Sequence, residues 1–274
     1  HIRDRLGPDA WISVDQEGGE VARLNDRRGF NPCLSAAGFA VLDAQAQEEA
    51  DRAQASQLAE FGFDLNFAPC VDLALDPANP IIARLGRAFG LSAAEVIDAA
   101  TIVLDAHVEA GIASCLKHFP GHGSSAADTH LGAADVTTTW RDEELDPYRK
   151  LAVRKGVAVM VAHVMHRNMD RELPASLSVQ VIDGLLRQNL RFDGVVVTDS
   201  IDMKAGADRW SPEEAAVMAI RAGADLVIDG FNLVHRREHP ARAMVAALRS
   251  SIPDERLQQS LERIDRLRAE IGRI

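Results

Sequence analysis

Gly194-Val195-Val196-Val197-Thr198-Asp199 is a β-branched run that ends on a carboxylate. Branched side chains pack well on a pleated surface, so this run reads as a strand buried on both faces. Short apolar runs of the same kind stand at residues 10–14, 64–71, 113–118, 157–164 and 225–229. Between them the chain reads as helix. Residues 45–61 are rich in Ala, Gln and Glu and stop at Gly62. Ser92 with Glu95 makes a capping box, and that helix stops at Gly111. Ser211, Pro212 and Glu214 make another start, with Gly223 as its stop. Leu257, Leu261, Ile264, Leu267 and Ile271 recur as one face of a final helix.

Strand–helix alternation predicts an α/β fold with a parallel sheet. Polar residues follow the strand ends: Asp15, Asp72, Lys117, His118, His163, Asp199 and Asp229. A closed (β/α) barrel brings all such ends to one face, whereas an open sheet spreads them along an edge. The expected architecture is therefore a TIM-like barrel. Such a barrel has eight strands, and the six apolar runs leave two strand–helix units to be found before residue 10. The chain begins at His1 without a Met, so its natural N-terminus is expected to lie upstream.

At 274 residues and 47% hydrophobic, the chain can bury a substantial core, and residues 1–274 are expected to form one domain. A net charge of −11 argues against a nucleic-acid partner, which needs Lys and Arg against its phosphates. No run approaches the roughly 18 apolar residues of a membrane span. Cys33, Cys70 and Cys115 are odd in number and lack metal-ligand spacing, so reduced, mostly buried thiols are expected.

The chemistry-bearing residues gather in a few segments. Asp199, on a stiff support, can attack an anomeric carbon or stabilise a cation; a helix N-cap is its bland alternative. The loop after residues 113–118 reads Lys117-His118-Phe119-Pro120-Gly121-His122-Gly123 and continues to Asp128 and His130. A carboxylate beside His130 fixes its tautomer and raises its pKa, which suits proton donation near neutral pH. Lys117 and His118 can donate to ligand hydroxyls, although Lys117 can equally pair with a strand-end acid such as Asp72. Asp15, in Asp15-Gln16-Glu17-Gly18-Gly19, can accept from two sugar hydroxyls, with a surface turn as the alternative. Arg87 offers a planar fork, and Arg84 competes for the same task. The histidines at 118, 122, 130 and 163 raise a metal hydrolase as a second reading, but there is no His-x-His and no HExxH.

Together these segments resemble glycoside hydrolase family 3, in its β-N-acetylglucosaminidase branch. The matching pieces are DQEGG at Asp15, GRAFG with Arg87, KHFPGHG followed by Asp128-Thr129-His130, AHV at His163, and GVVVTD ending at Asp199. They stand in the family's order and span most of the chain. The resemblance implies a TIM-like barrel, and it implies two further strand–helix units ahead of DQEGG in relatives. It also implies a retaining double displacement, with Asp199 as nucleophile and His130 as acid/base assisted by Asp128. Asp15, Arg87, Lys117 and His118 match positions that hold the terminal sugar. The implied substrate is a non-reducing β-linked N-acetylglucosamine, such as that of a peptidoglycan fragment recycled in the cytoplasm. The resemblance implies no metal and no organic cofactor; with the charge and hydropathy arguments against nucleic acid and membrane, the expected partner is a small carbohydrate, and the oligomeric state is left open. The alternatives are a family relative acting on β-glucosides or β-xylosides, phosphorolysis in place of hydrolysis, and a non-catalytic sugar-binding fragment.

Overall fold

The computed structural model describes residues 2–7, 10–125, 134–202, 209–230 and 239–272. After a short helix, α1 (Ile2–Leu6), strand β1 (Ser13–Val14) leads into an antiparallel hairpin of β2 (Gln16–Gly18) and β3 (Val21–Ala22). Four more strands follow: β4 (Leu65–Asn66), β5 (Ala113–Phe119), β6 (Val157–Val161) and β7 (Val196–Thr198). They join β1 in a curled sheet of order β1-β4-β5-β6-β7, parallel at every pairing. Leu226 bridges to Val197 in the same parallel sense, so residues 225–229 lie along β7.

The helices are α2 (Ala36–Ala40), α3 (Ala44–Glu60), α4 (Ala93–Glu109), α5 (Asp146–Leu151), α6 (Pro212–Ala222), α7 (Ala241–Ser251) and α8 (Asp254–Glu270), with a π-helical stretch at Gln180–Asn189. Their boundaries follow the sequence signals. Ser92 accepts from the backbone of Glu95 while Glu95 reaches back, and Ser211 and Glu214 do the same for α6. Gly62, Gly111 and Gly223, with φ of 80°, 72° and 118°, turn the chain out of α3, α4 and α6.

Alternation along the strands feeds two cores. Leu116, Val157, Val159, Val161 and Val196 pack against Val96 and Leu104 of α4, Tyr148 and Leu151 of α5, and the alanines of α6. Ala113, Cys115, Ala158, Met160, Val195 and Val197 face the other way and meet Leu267 of α8 and Ile271 just past its end. Burial on both faces is why these runs are continuously apolar rather than alternating.

The structure shortens several expected strands. The run at 64–71 keeps only Leu65–Asn66 as regular strand, because Pro69 has no N–H to give a ladder. The run at 10–14 keeps only its last two residues, and 225–229 contributes a bridge rather than a full strand. DQEGG, weighed as a turn, opens a hairpin. In the last helix Leu261 is 53% exposed and Ser260 takes the buried place. The cause is polar: Ser260 Oγ donates to Asp225 Oδ1 at 2.8 Å.

Candidate active site

Asp15, Glu17, Arg87, Lys117, His118, His122 and Asp199 line one open cleft of about 1100 Å³ at the C-terminal rim of the sheet. They come from four strand ends: Asp15 and Glu17 follow β1, Arg87 lies between β4 and α4, Lys117 and His118 close β5 with His122 just beyond, and Asp199 follows β7. The hairpin is fixed from within. Gln16 N donates to Asn66 Oδ1 at 3.0 Å, and Asn66 Nδ2 donates to Gln16 O at 2.9 Å. The Gln16 side chain turns inward, donating to Leu24 O and accepting from the backbone of Arg23 and Leu24, so its extended neighbours Asp15 and Glu17 lie on the opposite face.

Glu17 is the organiser that the sequence reading passed over. Arg87 grips it with two bonds, Nε to Oε2 at 2.7 Å and Nη2 to Oε1 at 2.8 Å. Lys117 Nζ lies 2.6 Å from the same carboxylate and 2.9 Å from Asp15 Oδ1. Burial works to raise the pKa of Glu17, but Lys117 and Arg87 outweigh it and hold the group far below the usual carboxylate range. Burial likewise works to lower Lys117, and Glu17 and Asp15 reverse that and keep it charged. A signal for Glu17 was present: Asp-x-Glu on extended backbone puts both acids on one face. Lys117 therefore pairs with Asp15 and Glu17, and not with Asp72 as weighed from the sequence.

Asp72 has another task. Its Oδ2 accepts from His118 Nδ1 at 2.7 Å and from His118 N at 3.2 Å, and its Oδ1 accepts from His122 N at 2.8 Å. Burial opposes ionisation, but His118 and His122 overcome it and set Asp72 at about 2. His118 Nε2 faces Arg87 Nη2 at 3.2 Å. A Nδ1–H tautomer satisfies both contacts, donating to Asp72 and accepting from Arg87. His122, deeper, is lowered to about 4 by burial and by His118 beside it.

Asp199 stands just past β7, half-buried, with its backbone N–H bonded to Val161 O at 2.9 Å. Its Oδ1 accepts from Ser200 N at 2.8 Å. Burial works to raise its pKa, while His118, His163, the Ser200 N–H and Lys117 together bring it below the usual value. His163 acts on the backbone beside it: Nε2 lies 2.8 Å from Ser200 O, and Nδ1 bonds Ser176 Oγ. The arrangement thus offers a charged carboxylate on one wall and a donor–acceptor set on the other. Asp128 and His130, expected as acid/base, lie outside the described residues.

Cys70, Asp72 and His118 bring ligand-type atoms within 4.8 Å of one another, the one such group among the described residues. They do not fit a metal cage. Both oxygens of Asp72 and both nitrogens of His118 are already engaged. Burial, with Asp72 beside it, pushes the Cys70 thiol well above its ordinary value, away from the thiolate that ligates metal. A second cavity, of about 850 Å³, lies behind the hairpin between α2, α3 and α4 and shares Glu17 and Arg87 as a wall. Asp15, Lys117, His118 and Asp199 are not among its lining residues.

Comparison with known proteins agrees with this architecture. A family model described as "Glycosyl hydrolase family 3 N terminal domain" matches residues 2–267. Beta-hexosaminidase A of Pseudoalteromonas piscicida is 30% identical over 287 residues, covering 95% of this chain and 47% of that protein. Beta-hexosaminidase of Glaesserella parasuis serovar 5 is 33% identical over 232 residues, covering 83% of this chain and 66% of that protein. A solved glycoside hydrolase family 3 β-N-acetylglucosaminidase from Paenibacillus sp. str. FPU-7 superposes with a TM-score of 0.84 at 38% identity. That match covers 96% of this chain and 50% of the other. The chain thus spans between about half and two thirds of the length of these relatives.

Proposed function

We propose a retaining exo-β-N-acetylglucosaminidase, from the premise that this chain belongs to glycosyl hydrolase family 3, whose N terminal domain model matches residues 2–267. The observation that carries the reading is the single cleft lined by Asp15, Arg87, Lys117, His118 and Asp199. Asp199, whose pKa His118, His163, the Ser200 N–H and Lys117 bring below the usual value against the effect of burial, is ionised and ready to act as nucleophile. Asp15 and Lys117 offer an acceptor and a donor for hydroxyls of the terminal sugar, with Arg87 and His118 completing the set.

In the first step Asp199 forms a bond to the anomeric carbon as the bond to the glycosidic oxygen breaks. That oxygen takes a proton from His130, whose imidazolium is favoured by Asp128. Water then attacks the same carbon and gives its proton to His130, and the glycosyl–Asp199 ester opens. The sugar leaves with its configuration retained. A histidine in this role avoids a second negative charge beside Asp199. The substrate is a non-reducing N-acetylglucosamine β-linked to another sugar. By the family resemblance we assign it to peptidoglycan fragments recycled in the cytoplasm. No metal takes part in this scheme.

The test is hydrolysis of a chromogenic N-acetyl-β-glucosaminide. His130→Ala is expected to lower kcat/KM by about 10²–10⁴-fold, and Asp199→Ala to bring release to background. A chelator is expected to change nothing. Sugar binding without turnover in the folded chain overturns the enzyme reading, and loss of turnover on chelation returns the metal hydrolase.

A further inference from the structure

Glu144 is a buried acid to which the reaction gives no role. It is 1% exposed and stands in the single turn, Asp142–Leu145, that precedes α5. Its Oε1 accepts from Ser124 Oγ at 2.7 Å and from Arg141 N at 3.2 Å. Its Oε2 is buried and, among the described residues, has no hydrogen-bond partner. Gly121, at φ 133°, lies flat against it; a Cβ there would come within 2.7 Å of Glu144 Cβ and Oε2. Just ahead of that turn, Trp140 Nε1 donates to Pro120 O at 3.0 Å.

The other side of the same loop is held as firmly. Asp72 Oδ1 accepts from His122 N, and Asn79 Nδ2 donates to His122 O at 2.8 Å and Gly123 O at 3.2 Å. Residues 120–125 are therefore clamped between Asp72 and Asn79 within and Glu144 and Trp140 without. Ser124 precedes Asp128 by four residues, which span at most about 14 Å. The place of Ser124 thus bounds where the acid/base pair can reach.

We propose that Glu144 is a positioning residue, which fixes residues 120–125 through Ser124 as the stem of the segment carrying Asp128 and His130. The inference rests on the glycosidase reading for its effect on rate, and on the geometry alone for its effect on the stem. Glu144 clamps best when neutral, because ionisation would seal a charge against an unpartnered oxygen. Burial first, and the charge of Asp72 with it, raise Glu144 to about 7 against the bonds from Ser124 and Arg141. Tyr148 of α5 is close enough to feel the charge of Glu144, while the Arg141 guanidinium turns to Glu143 at the surface. With the folded pKa above the ordinary 4.5, the unfolded chain releases this proton first. The clamp's contribution is full below 4.5 and declines as pH climbs to about 7.

The experiment is amide hydrogen exchange on the intact chain, corrected for intrinsic rates, at about pH 5.5 and about pH 8.5. Wild type is expected to protect residues 119–125 at the lower pH and lose protection at the higher. Glu144→Ala is expected to speed exchange there about tenfold at the lower pH and to add little at the higher, where the wild-type clamp is already released, with β6 unmoved. Glu144→Gln, an isostere of the neutral acid, is expected to restore protection at both. In turnover, Glu144→Ala is expected to lower kcat about tenfold with KM within about threefold, and Gln to rescue it. Ser124→Ala, which leaves the cap on Arg141 intact, is expected to loosen the stem alone. Unchanged stem exchange in both Glu144→Ala and Ser124→Ala overturns the proposal. Exchange that rises equally in β6 overturns it too, since the role is then structural. If wild type shows no hydrolysis, the glycosidase reading fails while the exchange results still decide the clamp.

Discussion

The two rims of the sheet carry the same kinds of ions and use them oppositely. At the N-terminal rim, Asp225 is wholly buried and ringed by three arginines. Arg187 Nη2 lies at 2.6 Å, Arg263 Nη1 at 3.2 Å and Arg256 Nη2 at 3.5 Å. Ser260 Oγ and the backbone N–H of Val196 complete the shell, at 2.8 Å and 3.0 Å. Every bond of that carboxylate is spent on the protein, tying β7, the π-helical stretch and α8 together. At the C-terminal rim, Asp15 is 36% exposed at its side chain, and among the described residues Asp199 takes one bond, from its neighbour's backbone. Its carboxylate keeps acceptor capacity facing the cleft. A saturated ion holds a fold, and an unsaturated one on a rigid support holds a ligand.

The largest expected effect tests the sealed rim. Asp225→Ala strands three guanidinium groups in a space made for one anion. Burial already draws Arg187 below the ordinary guanidinium range despite Asp225, with Arg263 and Arg256 adding their repulsion. Removing one partner of a buried ion cluster costs about 3–5 kcal/mol. Urea unfolding is expected to show a loss of that size. A loss under about 1 kcal/mol breaks the distinction between the rims.

The next effect concerns pH. Asp72 is lowered from 3.8 to about 2 by the partners described. A depressed folded pKa contributes stability that is present above 3.8 and is lost as pH falls through about 2. The contribution is about 2 kcal/mol. An acid titration of stability is expected to lose that amount across this window, and Asp72→Asn to remove that part of the slope. A slope unchanged in the variant assigns the acid sensitivity to other carboxylates.

Much of this contrast could be read in the chain before the fold was known, and the reasons are local. Strand-end acids announce themselves by sequence position, so Asp15 and Asp199 were found, and so were the caps at Ser92 and Ser211. Ion partners do not, because pairing depends on which strands become neighbours. Glu17 meets Arg87 across 70 residues and Asp225 meets Arg263 across 38. Periodicity misled at Leu261 for the same reason. The helix turns Ser260 inward to reach Asp225, and no apolar pattern records a hydrogen bond to a distant carboxylate. The shortness of β4 has a mark in the sequence at Pro69, which has no N–H to give a ladder, but the continuous apolar run conceals it.

The smallest expected change in stability is the sharpest test of the comparison. Asp199→Asn keeps the shape of the side chain and an oxygen for the Ser200 N–H, so the hydrogen bond that the described residues give the carboxylate survives. What is lost is the attraction of His118, His163 and Lys117 for its charge, offset by relief of its burial. These oppose each other, and the net is expected within about 1 kcal/mol. Turnover, by contrast, is expected to vanish, because an amide oxygen is far too weak a nucleophile to displace the leaving group. A variant with an unmoved thermal midpoint and no activity makes Asp199 a group kept for the ligand. If instead Asp199→Asn unfolds as readily as Asp225→Ala, the charge at 199 holds the fold, and the contrast between the two rims is gone.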